Sequence, residues 1–147
     1  MAEMIYTHIE PSEDYVNKTY SKSYLKNRRA NSEYKKLRVN IINHGILYPI
    51  VASCNNQVIG RLEVGGQRMG IAIDLRLNKI PAILYSIHRK TGFEGTPITD
   101  INDIVKICGD GIKSEPVYRG IGDAIRNIRR QNNYPPDPLK IQVQSDD

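Results

Sequence analysis

The chain has 147 residues, 39% of them hydrophobic, and carries 21 Lys and Arg against 16 Asp and Glu, a formal net charge of +5. This length fits one domain, and no apolar run approaches the roughly 20 residues of a membrane-spanning helix. The N-terminal residues lack the basic start and apolar stretch of a signal peptide, so we expect a cytoplasmic protein with no membrane contact. Two cysteines without CxxC spacing and three widely separated histidines predict no metal site.

Residues 1–31 are predicted to form an extended arm followed by a basic helix. The arm covers residues 1–11, and Ser12 is suited to cap a helix that runs to about Lys26. Positive charge is concentrated here, since residues 18–38 hold eight Lys and Arg against one Glu.

Residues 32–130 are expected to form a mixed α/β domain, with a small mixed sheet and flanking helices. The expectation depends on a change from strand-like to helix-like periodicity in the middle of the chain. The first predicted elements are a helix over 33–43, capped by Ser32 and ended by Gly45, and a strand over 47–53. A hairpin turn at Asn55-Asn56 leads into a strand over 57–64, which is followed by a helix over 67–77 and a strand over 80–87. Two further helices are predicted over 99–108 and 122–130. Residues 131–147 are predicted to be a Pro-rich extended tail.

A glycine pair lies where the second strand meets the central helix. Gly65 and Gly66 allow a tight turn, and the helix behind them offers unpaired N–H groups and a partial positive charge. Gln67 can add a hydrogen bond, and Arg68 can add a bidentate fork for phosphate or carboxylate. The four residues therefore predict an anion-binding concavity. The alternative is an ordinary Gly-Gly turn followed by a surface arginine.

The order of these motifs resembles the N-terminal domain of the ParB/sulfiredoxin superfamily. In that family a G-x-x-P-I strand, a hairpin, a G-x-[RH]-R turn, a helix and an I-P-[AV] strand follow one another, as they do here between Leu37 and Ser86. The resemblance covers about a third of the chain. It implies that the turn holds nucleotide phosphates, with CTP or ATP and Mg²⁺ as the expected cofactor.

The chain also departs from the family pattern. Gly66 occupies the position of the catalytic cysteine of sulfiredoxins, which excludes that reaction. Gln67 replaces the usual Arg or His and removes one cation from the expected phosphate site. The segment after Ser86 is too short for both the helix-turn-helix domain and the dimerisation segment of a partition protein, so the chain resembles a stand-alone form found in phage and mobile elements. We then expect it in the host cytoplasm.

Carboxylates near the turn are the candidates for catalysis. Glu63 lies two residues before the glycines and is the one plausible catalytic residue. Asp74 is expected to pair with Arg76 or Asn78, and Asp100 and Asp103 to cap the following helix. Phosphoryl transfer requires positioned carboxylates for Mg²⁺ and a base, so this set favours binding over catalysis without excluding an enzyme.

Two basic clusters, one in residues 18–38 and one in residues 126–130, predict contact with DNA or another polyanion. Cations interleaved with tyrosines suit phosphate contacts and base stacking. The alternatives are a solvated helix face for the first cluster and complementation of a helix dipole for the second. The predicted nucleic-acid contacts are Lys26, Arg28, Arg29, Arg126, Arg129 and Arg130.

Three hypotheses for function remain at this point. The first is a nucleotide- or phosphate-binding module associated with nucleic acid. The second is a superfamily enzyme, namely an NTPase, a nuclease or a small-molecule kinase. The third is a non-catalytic interaction or structural subunit, for example in a phage assembly, with a protein partner bound through the N-terminal arm and the C-terminal tail.

Overall fold

The computed structural model describes residues 3–87 and 90–131, in which six α-helices surround one five-stranded sheet. The strands are β1 (Glu3–Ile9), β2 (Ile50–Asn55), β3 (Val58–Val64), β4 (Ile80–Ser86) and β5 (Thr96–Pro97). The helices are α1 (Glu13–Thr19), α2 (Tyr24–Arg29), α3 (Ser32–His44), α4 (Gly66–Asp74), α5 (Ile101–Cys108) and α6 (Pro116–Gln131), with a short 3₁₀ helix, Asp110–Ser114, between the last two.

The sheet is mixed, with strand order β3-β2-β4-β1-β5. Strands β2 and β4 pair in parallel, and the other neighbours are antiparallel. Every residue of the central strand β4 is buried, because helices cover both faces of the sheet. The expected mixed α/β fold is therefore confirmed.

The predicted hairpin is also confirmed, with its turn one residue later than expected. Asn55 pairs with Val58, so the two loop residues are Asn56 and Gln57. Their φ angles are 49° and 72°. Two successive positive φ values are typical of a type I′ turn, whose twist matches that of the strands.

The N-terminal segment is extended, as expected, but it belongs to the sheet. Strand β1 pairs with β4 over seven positions, from Glu3 opposite Ser86 to Ile9 opposite Ile80. Its side chains Ile5 and Ile9 are buried in the core. The sequence pattern did not reveal this pairing, because a strand seven residues long carries little information on its partner.

The core has two layers, one on each face of the sheet. Helices α1, α2 and α4 cover one face and share a core that includes Val16, Leu25 and Met69. Helix α3 packs with α4 in a separate small cluster of Tyr34, Ile41 and Ile71. The 3₁₀ helix and α5 and α6 cover the other face, with Ile104, Ile112 and other isoleucines buried there. The first of these layers holds the glycine turn against α1 and α2.

Several helix boundaries differ from the prediction. The helix expected from Ser12 to about Lys26 is broken into α1 and α2, because Tyr20 adopts an extended conformation. Asn31, not Ser32, caps α3, and α6 begins at Pro116, six residues before the predicted start. The predicted tail lies, apart from its first residue, outside the described residues.

Among the helices of the described ranges, none is both long and apolar enough to cross a membrane. In the same ranges no group of three or more His, Cys, Asp or Glu side chains is arranged to hold a metal ion.

Candidate functional site: the amino end of helix α4

The glycine turn forms the N-terminus of α4, as the sequence predicts. Gly65 is the N-cap residue and adopts φ 103° and ψ 29°, a left-handed conformation that favours glycine. No side chain caps the helix. Its first N–H groups have no partner within the helix and keep their capacity to bind an acceptor.

Arg68 lies inside the protein and not on its surface, so the alternative of a surface arginine is excluded. The residue is 8% exposed, and its Nη1 donates to the carbonyl oxygens of Tyr48 at 2.6 Å and Pro49 at 2.8 Å. The residue is buried because α4 packs on the sheet, and the first turn directs Arg68 toward the residues just before β2.

One end of this guanidinium has no hydrogen-bond partner. Arg68 Nη2 is fully buried and makes no hydrogen bond, and no carboxylate in the described ranges forms an ion pair with it. Burial lowers the pKa of Arg68 to about 10, so the group remains charged at neutral pH. A Cβ at Gly65 would lie 3.2 Å from Nη2, which places this unpaired donor beside the N-cap of α4.

The turn is covered by two stacked tyrosines. The rings of Tyr20 and Tyr24 lie 3.9 Å apart with an angle of 12° between their planes. A Cβ at Gly66 would lie 2.7 Å from Tyr24 Oη and 2.8 Å from Tyr20 Oη, so only glycine permits this approach. Gln67, the next residue, is half-buried. The four predicted residues are thus adjacent at the start of α4, and the two tyrosines, which the sequence did not point to, lie over Gly66.

Glu63 lies on the other face of the sheet. Its Oε1 accepts a hydrogen bond from the Tyr85 hydroxyl at 2.9 Å, and burial together with this carboxylate raises the pKa of Tyr85. The two side chains line a cavity of about 320 Å³ against α6, with Asp123 and Asn127. None of the residues from Gly65 to Arg68 lines this cavity.

Asp74 pairs with residues far away in sequence, and its expected pairing with Arg76 or Asn78 is wrong. Arg29 donates to both carboxylate oxygens, at 2.6 and 3.1 Å, and the Tyr34 hydroxyl donates at 2.6 Å. Burial by itself would raise the pKa of Asp74, but these hydrogen bonds outweigh it and lower the pKa. The chain reverses in a left-handed conformation at Arg76, φ 54°, and does not continue the helix face. The expected capping by Asp100 and Asp103 is confirmed as a capping box.

The six predicted nucleic-acid contacts lie on two opposite sides of the molecule. Lys26, Arg28 and Arg29 belong to α2 on one face of the sheet, and the other three belong to α6 on the opposite face. The α6 arginines have partners within the protein, because Arg126 donates to Asp123, Arg129 to the Thr99 carbonyl and Arg130 to Asn127. Of the α2 residues, Arg29 is held by Asp74, and Arg28 lies 5.4 Å from the centre of the Tyr24 ring.

The sequence analysis missed the roles of Tyr20 and Tyr24 at the turn. In the sequence these tyrosines were noted only as planar rings among the basic residues, whereas their contact with Gly66 is made across the fold. The sequence contains two closely spaced tyrosines and a glycine far along the chain. Their contact cannot be inferred from the sequence, because it depends on the topology of the fold.

No protein-family profile matches this chain, and no curated protein sequence does so either. Among solved structures, the chain is similar to a Pnob8-like ParB-N domain, with 14% sequence identity and a TM-score of 0.39. In fold, this chain resembles a ParB-N domain. The match covers 58% of this chain and 31% of that chain. At this identity and TM-score the likeness concerns the fold and does not extend to a ligand, a partner or a reaction.

Proposed function

We propose that the chain is a phosphate-binding module whose ligand is a nucleotide or another phosphate compound held at the N-terminus of α4. The observation that carries the proposal is the buried, unpaired Nη2 of Arg68 beside an uncapped helix N-terminus. A buried charge without a counter-ion is costly to a folded protein. A bound anion would neutralise this charge and accept from the helix N–H groups at the same time.

The structure favours binding over catalysis. Glu63, the candidate catalytic residue, is hydrogen-bonded to Tyr85 in a cavity on the α6 side of the sheet. Asp74, the next carboxylate along the chain, is held by Arg29 and Tyr34 at the opposite end of α4. Neither lies in the turn, where a phosphoryl-transfer enzyme would need carboxylates for Mg²⁺.

Association with nucleic acid is the second part of the proposal, and α2 is the surface that supports it. Lys26 and Arg28 are exposed on this helix, next to the stacked tyrosine pair. Exposed cations beside planar rings suit contacts with phosphates and unstacked bases. The α6 arginines already have partners within the protein, so α6 is the weaker candidate for contact with nucleic acid.

A ligand series tests the phosphate site directly. The ¹H–¹⁵N spectrum of the chain is followed during titration with inorganic phosphate, CTP and ATP, each nucleotide with and without Mg²⁺. We expect the largest saturable shifts at the backbone amides of Gly66, Gln67 and Arg68. Thermal unfolding provides a second measurement, because a ligand at one hundred times its Kd adds about 2.7 kcal/mol of stability.

The Arg68 side chain is examined with two variants and one control. Arg68→Lys keeps the charge and removes the second arm of the fork, and Arg68→Met removes both. We expect Arg68→Lys to bind phosphate more weakly than the unmodified chain and Arg68→Met not to bind it. Phosphate binding should be unchanged in Arg76→Met, which removes an exposed arginine beyond the other end of α4. Absence of any saturable shift with all ligands would reject the phosphate site and favour the interaction-subunit hypothesis.

A further inference from the structure

The tyrosine pair lies over Gly66, the first residue of α4. Tyr20 and Tyr24 place both hydroxyl groups against Gly66, nearer than the 3.4 to 4 Å of an ordinary contact to a Cβ. A phosphate oxygen must come within about 3 Å of an amide nitrogen to accept its hydrogen bond. A phosphate that approached Gly66 from the side its Cβ would occupy would compete with the two hydroxyl groups for the same space.

The segment that carries the rings is attached firmly on its N-terminal side. Helix α1 is anchored to strand β3, since Lys18 donates to the Ile59 carbonyl at 3.0 Å and the Thr19 hydroxyl accepts from Leu62 N–H at 2.8 Å. Ser12 caps α1, and Val16 is the buried residue of this helix. Beyond Thr19 the chain leaves helix α1, with Tyr20 as its extended C-cap.

Helix α2 packs on α4 through its one buried side chain, Leu25, which lies against Gly70. It has six residues and no side-chain N-cap. At its far end Arg29 forms the ion pair with Asp74, the last residue of α4. The segment 20–29 thus runs along α4 from the glycine turn to the C-terminal end, with the ring stack at one end and an ion pair at the other.

We propose that residues 20–29 form a lid that closes the anion site at the N-terminus of α4, and that a phosphate ligand binds by displacing the Tyr20–Tyr24 stack. The inference rests on the proposed phosphate site. It also gives Gly66 a second role, because only glycine at this position allows the lid to close.

The proposal predicts tighter binding when the lid is weakened. A site whose open form is populated at 10% or less binds at least about tenfold more weakly than the same site held open. We expect the double variant Tyr20→Ala, Tyr24→Ala to lower the Kd for inorganic phosphate by at least about tenfold. The matched double variant with Phe keeps both rings and should bind phosphate nearly as the unmodified chain does.

Two further measurements keep the test decisive. In the unmodified chain, the ring resonances of Tyr20 and Tyr24 should shift with the same phosphate dependence as the Gln67 amide. If the double Ala variant fails to fold, Arg29→Met replaces it in the test. This substitution removes the ion pair at the other end of the lid and should lower the Kd for inorganic phosphate.

The outcomes separate the lid from the site beneath it. Tighter phosphate binding in the opened variants, with coupled ring shifts, supports both. Equal affinity in the unmodified and opened chains, or saturation of the Gln67 amide without ring shifts, overturns the lid and leaves the phosphate site standing. No phosphate response in any of these proteins overturns the site, and the lid with it.

Discussion

At the scale of single residues, helix α4 has a compensated charge at one end and an uncompensated charge at the other. Asp74 is paired with Arg29 and accepts from Tyr34, whereas the partners of Arg68 within residues 3–87 and 90–131 are backbone carbonyls. The compensated end stabilises the fold, and the uncompensated end is the candidate site. The two ends therefore respond differently to substitution.

Removal of the Asp74 carboxylate should destabilise the protein. Tyr34 is 1% exposed, and its hydroxyl would lose its acceptor in Asp74→Ala. We expect a loss of about 1–3 kcal/mol in the free energy of unfolding, the usual cost of a buried polar group left unpaired. Urea denaturation measures it. Asp110→Ala is the matched control, because that exposed carboxylate lies 3.7 Å from Lys113 in a surface pair and should contribute little.

The same carboxylate should make stability depend on pH at the acidic end. The pKa of Asp74 is lower in the folded chain than its ordinary value of about 3.9, so the unfolded chain takes up the proton first as the pH falls. The contribution of Asp74 is present above about pH 4 and is lost below it. Urea unfolding between about pH 6 and about pH 3 should show a smaller decrease for Asp74→Asn than for the unmodified chain.

Asp103 serves as an independent comparison, because hydrogen bonds from Thr99 and Asp100 also lower its pKa against the opposing effect of burial. Asp103→Asn should remove a separate part of the acid dependence, additive with Asp74→Asn since the two carboxylates share no partner. Identical acid profiles for Asp74→Asn and the unmodified chain would contradict the role given to Asp74.

At the scale of the helix, α4 depends on glycine for close packing as well as for its turn. A Cβ at Gly70 would overlap Leu25 Cδ2 and lie 3.2 Å from Tyr34 Oη. Gly70→Ala should therefore destabilise the protein by about 1–3 kcal/mol through overpacking, although alanine is the better helix former.

A glycine in α6 provides the control for this prediction. At Gly120 the nearest atom to a Cβ is Val64 Cγ1 at 3.9 Å, an ordinary contact. Gly120→Ala should then raise the free energy of unfolding by about 0.5–1 kcal/mol, as helix propensity predicts. Thermal denaturation of both variants measures the two changes in stability. A more stable Gly70→Ala variant would show that α2 is not packed against α4 as described.

At the scale of the whole molecule, positive charge is divided between the two faces of the sheet. The α2 cations and the α6 arginines are separated by the sheet and its two core layers. One flat nucleic-acid surface cannot include both groups. Salt dependence alone would not identify the face in use, so substitutions on each face are needed.

We expect nucleic-acid binding to depend on the α2 face. Lys26→Glu with Arg28→Glu should abolish a gel shift at low salt, whereas Arg126→Glu with Arg130→Glu should leave most of it. In the unmodified chain, log K should fall by about 0.9 per log unit of salt for each phosphate neutralised on double-stranded DNA. The reverse ranking of the two double variants would assign the contact to α6, and no shift with single- or double-stranded oligonucleotides would reject nucleic acid as a partner.

Local signals in the sequence determined the elements of the central region. The hairpin was evident from the asparagines between two strand-like runs, the helix stop from Gly45, and the α5 cap from Asp100 and Asp103. Each of these depends on residues within about four positions of one another. The glycine turn before α4 was predicted for the same reason, since a left-handed N-cap favours glycine.

Only the tertiary structure decided which of these residues meet. The pairing of β1 with β4, the burial of Arg68 against β2 and the contact of Tyr20 with Gly66 all join segments far apart in the chain. Such contacts depend on strand order and layer packing, which no local pattern encodes. The sequence by itself therefore determined the glycine turn at which we propose an anion site, and the fold decided that Arg68 is buried and that two tyrosines lie over Gly66.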